Sequence, residues 1–292
     1  MAEASIPVDL LNPGQVFACL GFMEIAEVLW GSCKGRFDVE ITNTSGNFIL
    51  SADGASNPIL EVLRFLVGAE PVAVAPRRSS LSTGKWGVET VVCNDSTFPS
   101  GPPATPATLP VLLRNGDRSI PIDYWADGSD RDNFKLWAGS SGYPGAALAR
   151  DALRLIRNLQ GNALNAAAQD PFNVSAPQSS SFRFDWRRDY IPLDVGFSPN
   201  EHSSVYMVGY PIVELLAAVG MQNARPARVR HRDKLLYRYG VSSAFLPTVF
   251  ARAVLGGSRI GFPTRLFQVR LGWPGQEGQA RCIVDAQEET RT

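Results

Sequence analysis

Histidine, cysteine, grouped carboxylates and grouped cations are the side chains from which a chemical site is usually built. The sequence has two histidines, His202 and His231, and four cysteines, Cys19, Cys33, Cys93 and Cys282, none of them in a Cys-x-x-Cys pair. A zinc site needs three or four such ligands at workable spacing, and no such grouping is visible. The acidic stretch Asp123, Asp127, Asp130 and Asp132 invites comparison with a calcium loop, because hard cations collect several oxygens. Counted from Asp123, Gly128 falls at the sixth position of an EF-hand loop. Trp125 at the third position and Phe134 at the twelfth remove the ligands that loop needs, so the stretch reads as a solvated loop with helix-capping carboxylates. Thr83-Gly84-Lys85 is like the tail of a phosphate loop without its earlier glycine or its magnesium-binding hydroxyl. Gly139-Ser-Ser-Gly142 reads as a turn ahead of a helix. There is no Gly-x-Ser-x-Gly elbow, and Ser203 and Ser204 beside His202 are neighbours only in sequence, whereas triads are assembled in space. The expectation is a chain with no catalytic set, no metal and no cofactor.

The cations are more informative. Lysine plus arginine and aspartate plus glutamate are equal at 28 each, yet they are segregated. Residues 1–70 hold three basic residues against nine acidic ones, whereas residues 221–271 hold ten basic residues against Asp233 alone. Local phosphate binding requires such a distribution; an evenly solvated surface does not. Nine of those ten cations are arginine, whose planar fork suits phosphate and stacked contacts. Arg225, Arg228, Arg230, Arg232, Lys234 and Arg238 form the densest run. If residues 228–232 are extended, alternate guanidiniums share one face and line a backbone track. A second stretch, Phe182 to Tyr190, interleaves rings with Arg183, Arg187 and Arg188, and with Trp186 it resembles a base-stacking platform. The other reading makes its aromatics core and pairs its arginines with Asp185 and Asp189. An acidic N-terminal half docked on the basic C-terminal one would also neutralise the patch internally.

The elements that must position these residues are α+β: mixed, mainly antiparallel sheets with packed helices, in one lobe or two. Asn12-Pro13 and Asn57-Pro58 are helix starts, because asparagine caps free N–H groups and proline at the first position has no donor to lose. The strand Ser5–Leu11 precedes the first helix, and strands 36–42 and 47–51 pair before the second. Asn115-Gly116 marks a hairpin between 109–114 and 119–124. The longest helical pattern is expected in 142–170, a strand in 182–191 and a helix over 211–219. Strands 228–231 and 235–239 pair, 243–255 is helical despite Pro247, and 259–285 closes as a hairpin. Five prolines between 94 and 110 exclude a central strand or helix there. That segment is either an extended loop or a linker between an N-terminal lobe, 1–93, and a C-terminal lobe, 111–292. Pro-Gly-Gln-Val-Phe near residue 13 and Pro-Ile-Val-Glu-Leu near residue 211 echo each other in placing proline at a helix start and glycine at its end. Capping rules alone produce such echoes.

With 45% hydrophobic and 19% charged residues the chain is an ordinary globular one, long enough for a sizeable core. Zero formal charge argues against a protein that coats nucleic acid over its whole surface. The N-terminus lacks the basic and apolar regions of a signal peptide, and the most apolar stretch, 16–30, carries two glutamates and is short for a bilayer. Scattered cysteines suit a reducing compartment, so a cytoplasmic protein with no membrane partner is expected.

IPVDLLNPGQVFACLGFMEIAEVL, DWRRDYIPLDVGFSPN and GYPIVELLAAVGMQNARP resemble a protein family of type I-U (I-G) CRISPR–Cas loci, over about residues 5–225. That family is encoded beside a helicase-nuclease and is described as its extension or accessory, or as large-subunit-like. The resemblance implies a non-catalytic effector subunit whose partners are the other CRISPR subunits, the helicase-nuclease, and guide RNA or target DNA. In such complexes base pairing reads sequence while protein supplies basic channels. The motifs carry no assigned catalytic residue. Two alternatives stand beside that role: an adaptor that touches only protein, and a metal-independent guide-processing nuclease using His202 or His231 as acid/base.

Overall fold

The computed structural model describes residues 2–93, 103–125, 143–189, 206–273 and 281–289. Its centre is set by a helix with no polar side. In α1 (Pro13–Trp30) every residue from Pro13 to Ala26 is buried. A helix apolar all round must be covered on all sides, and the rest of the chain does so. Pro13 fixes the first turn as expected, and the carbonyl of Asn12 takes the Val16 N–H at 3.3 Å. The Asn12 side chain does not cap; its amide donates to Asp185 at 3.0 Å. In α2 (Pro58–Gly68) the expected cap is present: Asn57 accepts the Leu60 N–H at 3.0 Å, and Glu61 reaches back to the Ser56 N–H at 2.7 Å. Burial works against the Glu61 charge, but the bonds from Ser56 and Asn57 outweigh it and hold the carboxyl below its ordinary pKa.

Three sheets and a short ribbon pack around α1. The first has the order β1 (Ala2–Asp9), β3 (Ser45–Ala52), β2 (Cys33–Asp38), β12 (Leu246–Pro247), with Ile6 opposite Phe48 and Gly35 opposite Leu246. The second has the order β5 (Glu89–Cys93), β4 (Glu70–Pro76), β6 (Val111–Asn115), β7 (Arg118–Ile122); only its β4–β5 pair is parallel. The third has the order β10 (Ala227–Arg228), β11 (Leu236–Ser242), β13 (Thr264–Gly272), β14 (Cys282–Glu288). The ribbon pairs β8 (Ala176–Pro177) with β9 (Val208–Gly209). Helices α3 (Gly145–Ile156), α4 (Asn162–Ala167), α5 (Pro211–Gly220) and α6 (Thr248–Leu255) complete the described strands and α-helices, and the class is α+β as expected.

The division into lobes 1–93 and 111–292 does not match this topology. Strand β4 pairs with β6 across the proline-rich segment, β2 pairs with β12, and one hydrophobic cluster joins Ile6 to Ile283. Residues 94–102 lie outside the described set. Beyond them Ala107 and Leu109 are buried, and the Pro110 carbonyl accepts the Val74 N–H at 2.8 Å.

The two echoed helices pack on each other. A Cβ on Gly21 would overlap the Leu216 carbonyl, and one on Gly220 would overlap the Phe17 carbonyl. Each glycine faces the residue one turn before the other glycine, so α1 and α5 run antiparallel with their backbones in contact. Further local expectations give way to the backbone. The 142–170 pattern splits in two: α3 stops at Ile156, and Gly161, with a positive φ of 54°, stands immediately before α4. The hairpin turn is Gly116-Asp117, because Asn115 pairs with Arg118. Helix α6 begins after Pro247, not before it. No helix among the described residues is long and apolar enough to cross a membrane.

Candidate nucleic-acid interface

The stretch 182–189 is irregular, not a strand. Its rings serve the core: Phe182 and Phe184 are fully buried, and Phe182 stacks on Trp125 at 6.4 Å. Glu214 on α5 accepts the backbone N–H groups of Phe184 and Asp185 at 3.1 and 2.9 Å and holds the segment in place. Complete burial raises the Glu214 pKa to about 7 despite those bonds. Arg187 grips Asp185 through Nε at 3.0 Å and Nη2 at 2.7 Å, donates to the Phe172 carbonyl at 2.6 Å, and lies over the Tyr210 ring. Arg188 is buried, with Nη2 3.5 Å from the Gln178 carbonyl. Arg183 is half-buried with φ +67°. Of its rings and arginines, only the Trp186 side chain stands well into solvent. Phosphate cannot reach guanidiniums spent in this way, so the segment is a structural strap, and Arg187 and Arg188 leave the interface.

The basic run divides differently. Strand β10 is only Ala227–Arg228, and residues 229–235 form a turn rather than an extended track. Arg228 closes that turn by donating to the His231 carbonyl at 2.7 Å. Arg238 is bound to Glu289 at 2.5 Å. Arg225 sits near the buried carboxyl of Asp123 and partly offsets the burial that raises that group's pKa to about 8. Beyond the run, Arg252 binds Glu24 through both carboxylate oxygens at 2.6 Å, and Arg265 binds Glu288 at 2.8 and 2.7 Å. Much of the apparent positive excess is thus neutralised by acids from elsewhere in the chain, Glu24 on the acidic N-terminal half among them.

What remains is compact. Arg230, Arg232 and Lys234 are exposed on the turn, with no carboxylate at ion-pair distance among the described residues. They line one side of an open cleft of about 610 Å³, whose far wall is Trp273, at the end of β13, and Arg281, which precedes β14. The Arg281 guanidinium lies 5.4 Å from the Trp273 ring centroid. Asp233 is the one acid in the lining, and its carboxylate is engaged twice: Oδ1 accepts the Leu235 N–H at 2.9 Å, and Oδ2 lies 3.9 Å from Arg270. Four cations therefore line this open cleft beside a single carboxylate that is already engaged. Such a cleft focuses positive potential and offers forked donors for phosphate oxygens with an indole beside them.

Trp273 and Arg281 do not stand out in the sequence because they lie far along the chain from the basic run. The register that joins them to it is the missing signal: Leu236 lies opposite Arg270 and the Leu271 N–H reaches the Leu235 carbonyl at 2.8 Å, so residues just after β13 flank the 229–235 turn.

Other chemistry is sparse among the described residues. No group of three or more histidines, cysteines or carboxylates could hold a metal ion. Cys19, Cys33 and Cys282 are buried; burial pushes the Cys33 thiol up to about 11, despite a hydrogen bond with Thr248. His202, Tyr190 and Asp127 to Asp132 lie outside the described residues. His231 is exposed in the cationic turn. The chain matches no model of a known protein family, no curated protein and no solved structure.

Proposed function

We propose that this chain is a non-catalytic nucleic-acid-contacting subunit that grips phosphate backbone through Arg230, Arg232, Lys234 and Arg281, with Trp273 available for base stacking. The observation that carries the reading is a contrast within the basic C-terminal part: Arg228, Arg238, Arg252 and Arg265 are tied to carboxylates and carbonyls, while three cations on one turn stand open to solvent beside Arg281. Contacts to backbone position a protein without reading sequence. That agrees with an effector in which guide pairing supplies specificity, as the type I-U/I-G resemblance implies.

The test is fluorescence anisotropy of the full chain with labelled single-stranded RNA, single-stranded DNA and duplex DNA across a salt series. Changing Arg230, Arg232 and Lys234 together to glutamine removes three phosphate contacts. The slope of log affinity against log salt should become shallower by about 2 on single strands or about 3 on duplex. Arg238→Gln, which breaks only the bond to Glu289, should leave both slope and affinity within about twofold. A triple variant that binds all three probes as the parent does would sink the proposal. Reconstitution of the neighbouring subunits with and without this chain, read by complex mass and DNA affinity, tests its place in an interference complex.

A further inference from the structure

Four large apolar side chains stand exposed around the start of α6. They are Phe245 (38%), Val249 (60%), Phe250 (45%) and Phe262 (42%). Val249 and Phe250 occupy the outward turn of α6, while Thr248, Val254 and Leu255 face inward. Phe262 leans on Phe250, with ring centroids 6.0 Å apart. Phe245 lies under the Arg36 guanidinium at 4.9 Å. Scattered exposed apolar residues need no explanation, but aromatic side chains concentrated at one place mark an interaction surface.

The charges at its edge say what fits. Strand β2 passes beside it, with Lys34 opposite Pro247, and Lys34 is exposed in the same alternating set as Arg36. Arg259, three residues before Phe262, is exposed as well. Of the acids nearby, Glu24 is bound by Arg252, Glu27 is half-buried with one oxygen out of solvent, and Asp38 lies 3.8 Å from Arg36.

We infer that the outward face of α6, with Phe245 and Phe262, is a docking site for another protein, specifically for a short segment that presents apolar side chains flanked by carboxylates. A second copy of this chain fits poorly, because a two-fold contact would bring the positively charged rim of Lys34, Arg36 and Arg259 against a rim of the same sign. An anionic bilayer fits less well too. Helix α6 has only eight residues, its other face is buried, and Arg36 is directed at Phe245 and Asp38, whereas surface-bound helices lay a long apolar stripe into lipid. This face is separate from the cationic cleft, so one chain has a phosphate-binding surface and a protein-binding one.

The probes are two fluorescein-labelled amphipathic peptides of about 16 residues with the same leucine and phenylalanine face, one flanked by glutamate and one by lysine. Measured against the full chain, the glutamate peptide should bind about tenfold more tightly than the lysine peptide, and added salt should narrow the difference. Val249→Asp with Phe250→Asp should abolish binding while circular dichroism and melting temperature stay unchanged. Lys34→Glu with Arg259→Glu, which leaves the apolar face intact, should reverse the preference and keeps the test open if the aspartate pair disturbs folding. Equal binding of the two peptides, or no binding of either, overturns the proposal. So does a concentration-dependent dimer, or co-sedimentation with phosphatidylserine vesicles, that the aspartate pair abolishes.

Discussion

Replacing Asp123 by asparagine should stabilise the protein, and by an amount that grows with pH. Asp123 follows β7 with its Oδ1 buried and without a hydrogen-bond partner, while its own N–H is held by Gln222. Burial dominates over the offsetting charge of Arg225 and lifts the pKa from an ordinary 3.8 to about 8. In the unfolded chain the group ionises near 4; in the folded chain it resists. Between those values the native state binds the extra proton, so stability falls as pH rises and the full penalty is reached above about pH 8. The interval corresponds to a ceiling of about 6 kcal/mol, and water reaching the carboxylate will lower it. Asparagine keeps the shape and never ionises. Urea melts of the parent and Asp123→Asn should therefore nearly coincide at pH 4 and separate by about 2 kcal/mol or more at pH 8. Glu214, raised from 4.5 to about 7, acts with the same sign and is present in both proteins, so it cancels in the difference. A difference that is flat with pH, or an asparagine variant less stable at pH 8, would refute the electrostatic reasoning.

Two further perturbations probe the frame and the division of the arginines. Gly21→Ala forces α1 and α5 apart at the Leu216 carbonyl and should cost about 1–3 kcal/mol in chemical denaturation, whereas alanine at Gly116, which has open space around it, should cost less and only through its positive φ. Arg187→Ala strands the buried carboxylate of Asp185 and should lower stability by about 3 kcal/mol without touching nucleic-acid affinity, while Arg232→Ala should do the reverse; thermal melts read beside anisotropy separate the two.

Proline after asparagine located α1 and α2 because the signal is local: a ring without a donor and a side chain that caps. Paired strands around turn residues were legible for the same reason. What the sequence could not supply is the choice between alternatives that only tertiary contacts decide. Phe182 to Tyr190 has the composition of a stacking platform, yet Glu214, nearly thirty residues away, captures its backbone and Asp185 captures Arg187. Asn12 carries the right residue for a cap, but Asp185 lies within reach and takes its amide. In the basic run, alternation along 228–232 suggested one face, and a turn at 229–235 dispersed it. The open cations were present in that run, while their partners Trp273 and Arg281 became neighbours only through the β11–β13 register.

The contact between α1 and α5 also sets a schedule for biosynthesis. A ribosome adding roughly 5–20 residues per second needs on the order of 10–40 s to pass from the end of the first helix to the end of its antiparallel mate. For that interval a segment greasy on every side has left the tunnel with its permanent cover still unmade. The nascent chain must be shielded by transient self-contacts or by a chaperone, and slowing translation between the two helices should lower the yield of folded protein more than slowing it after α5.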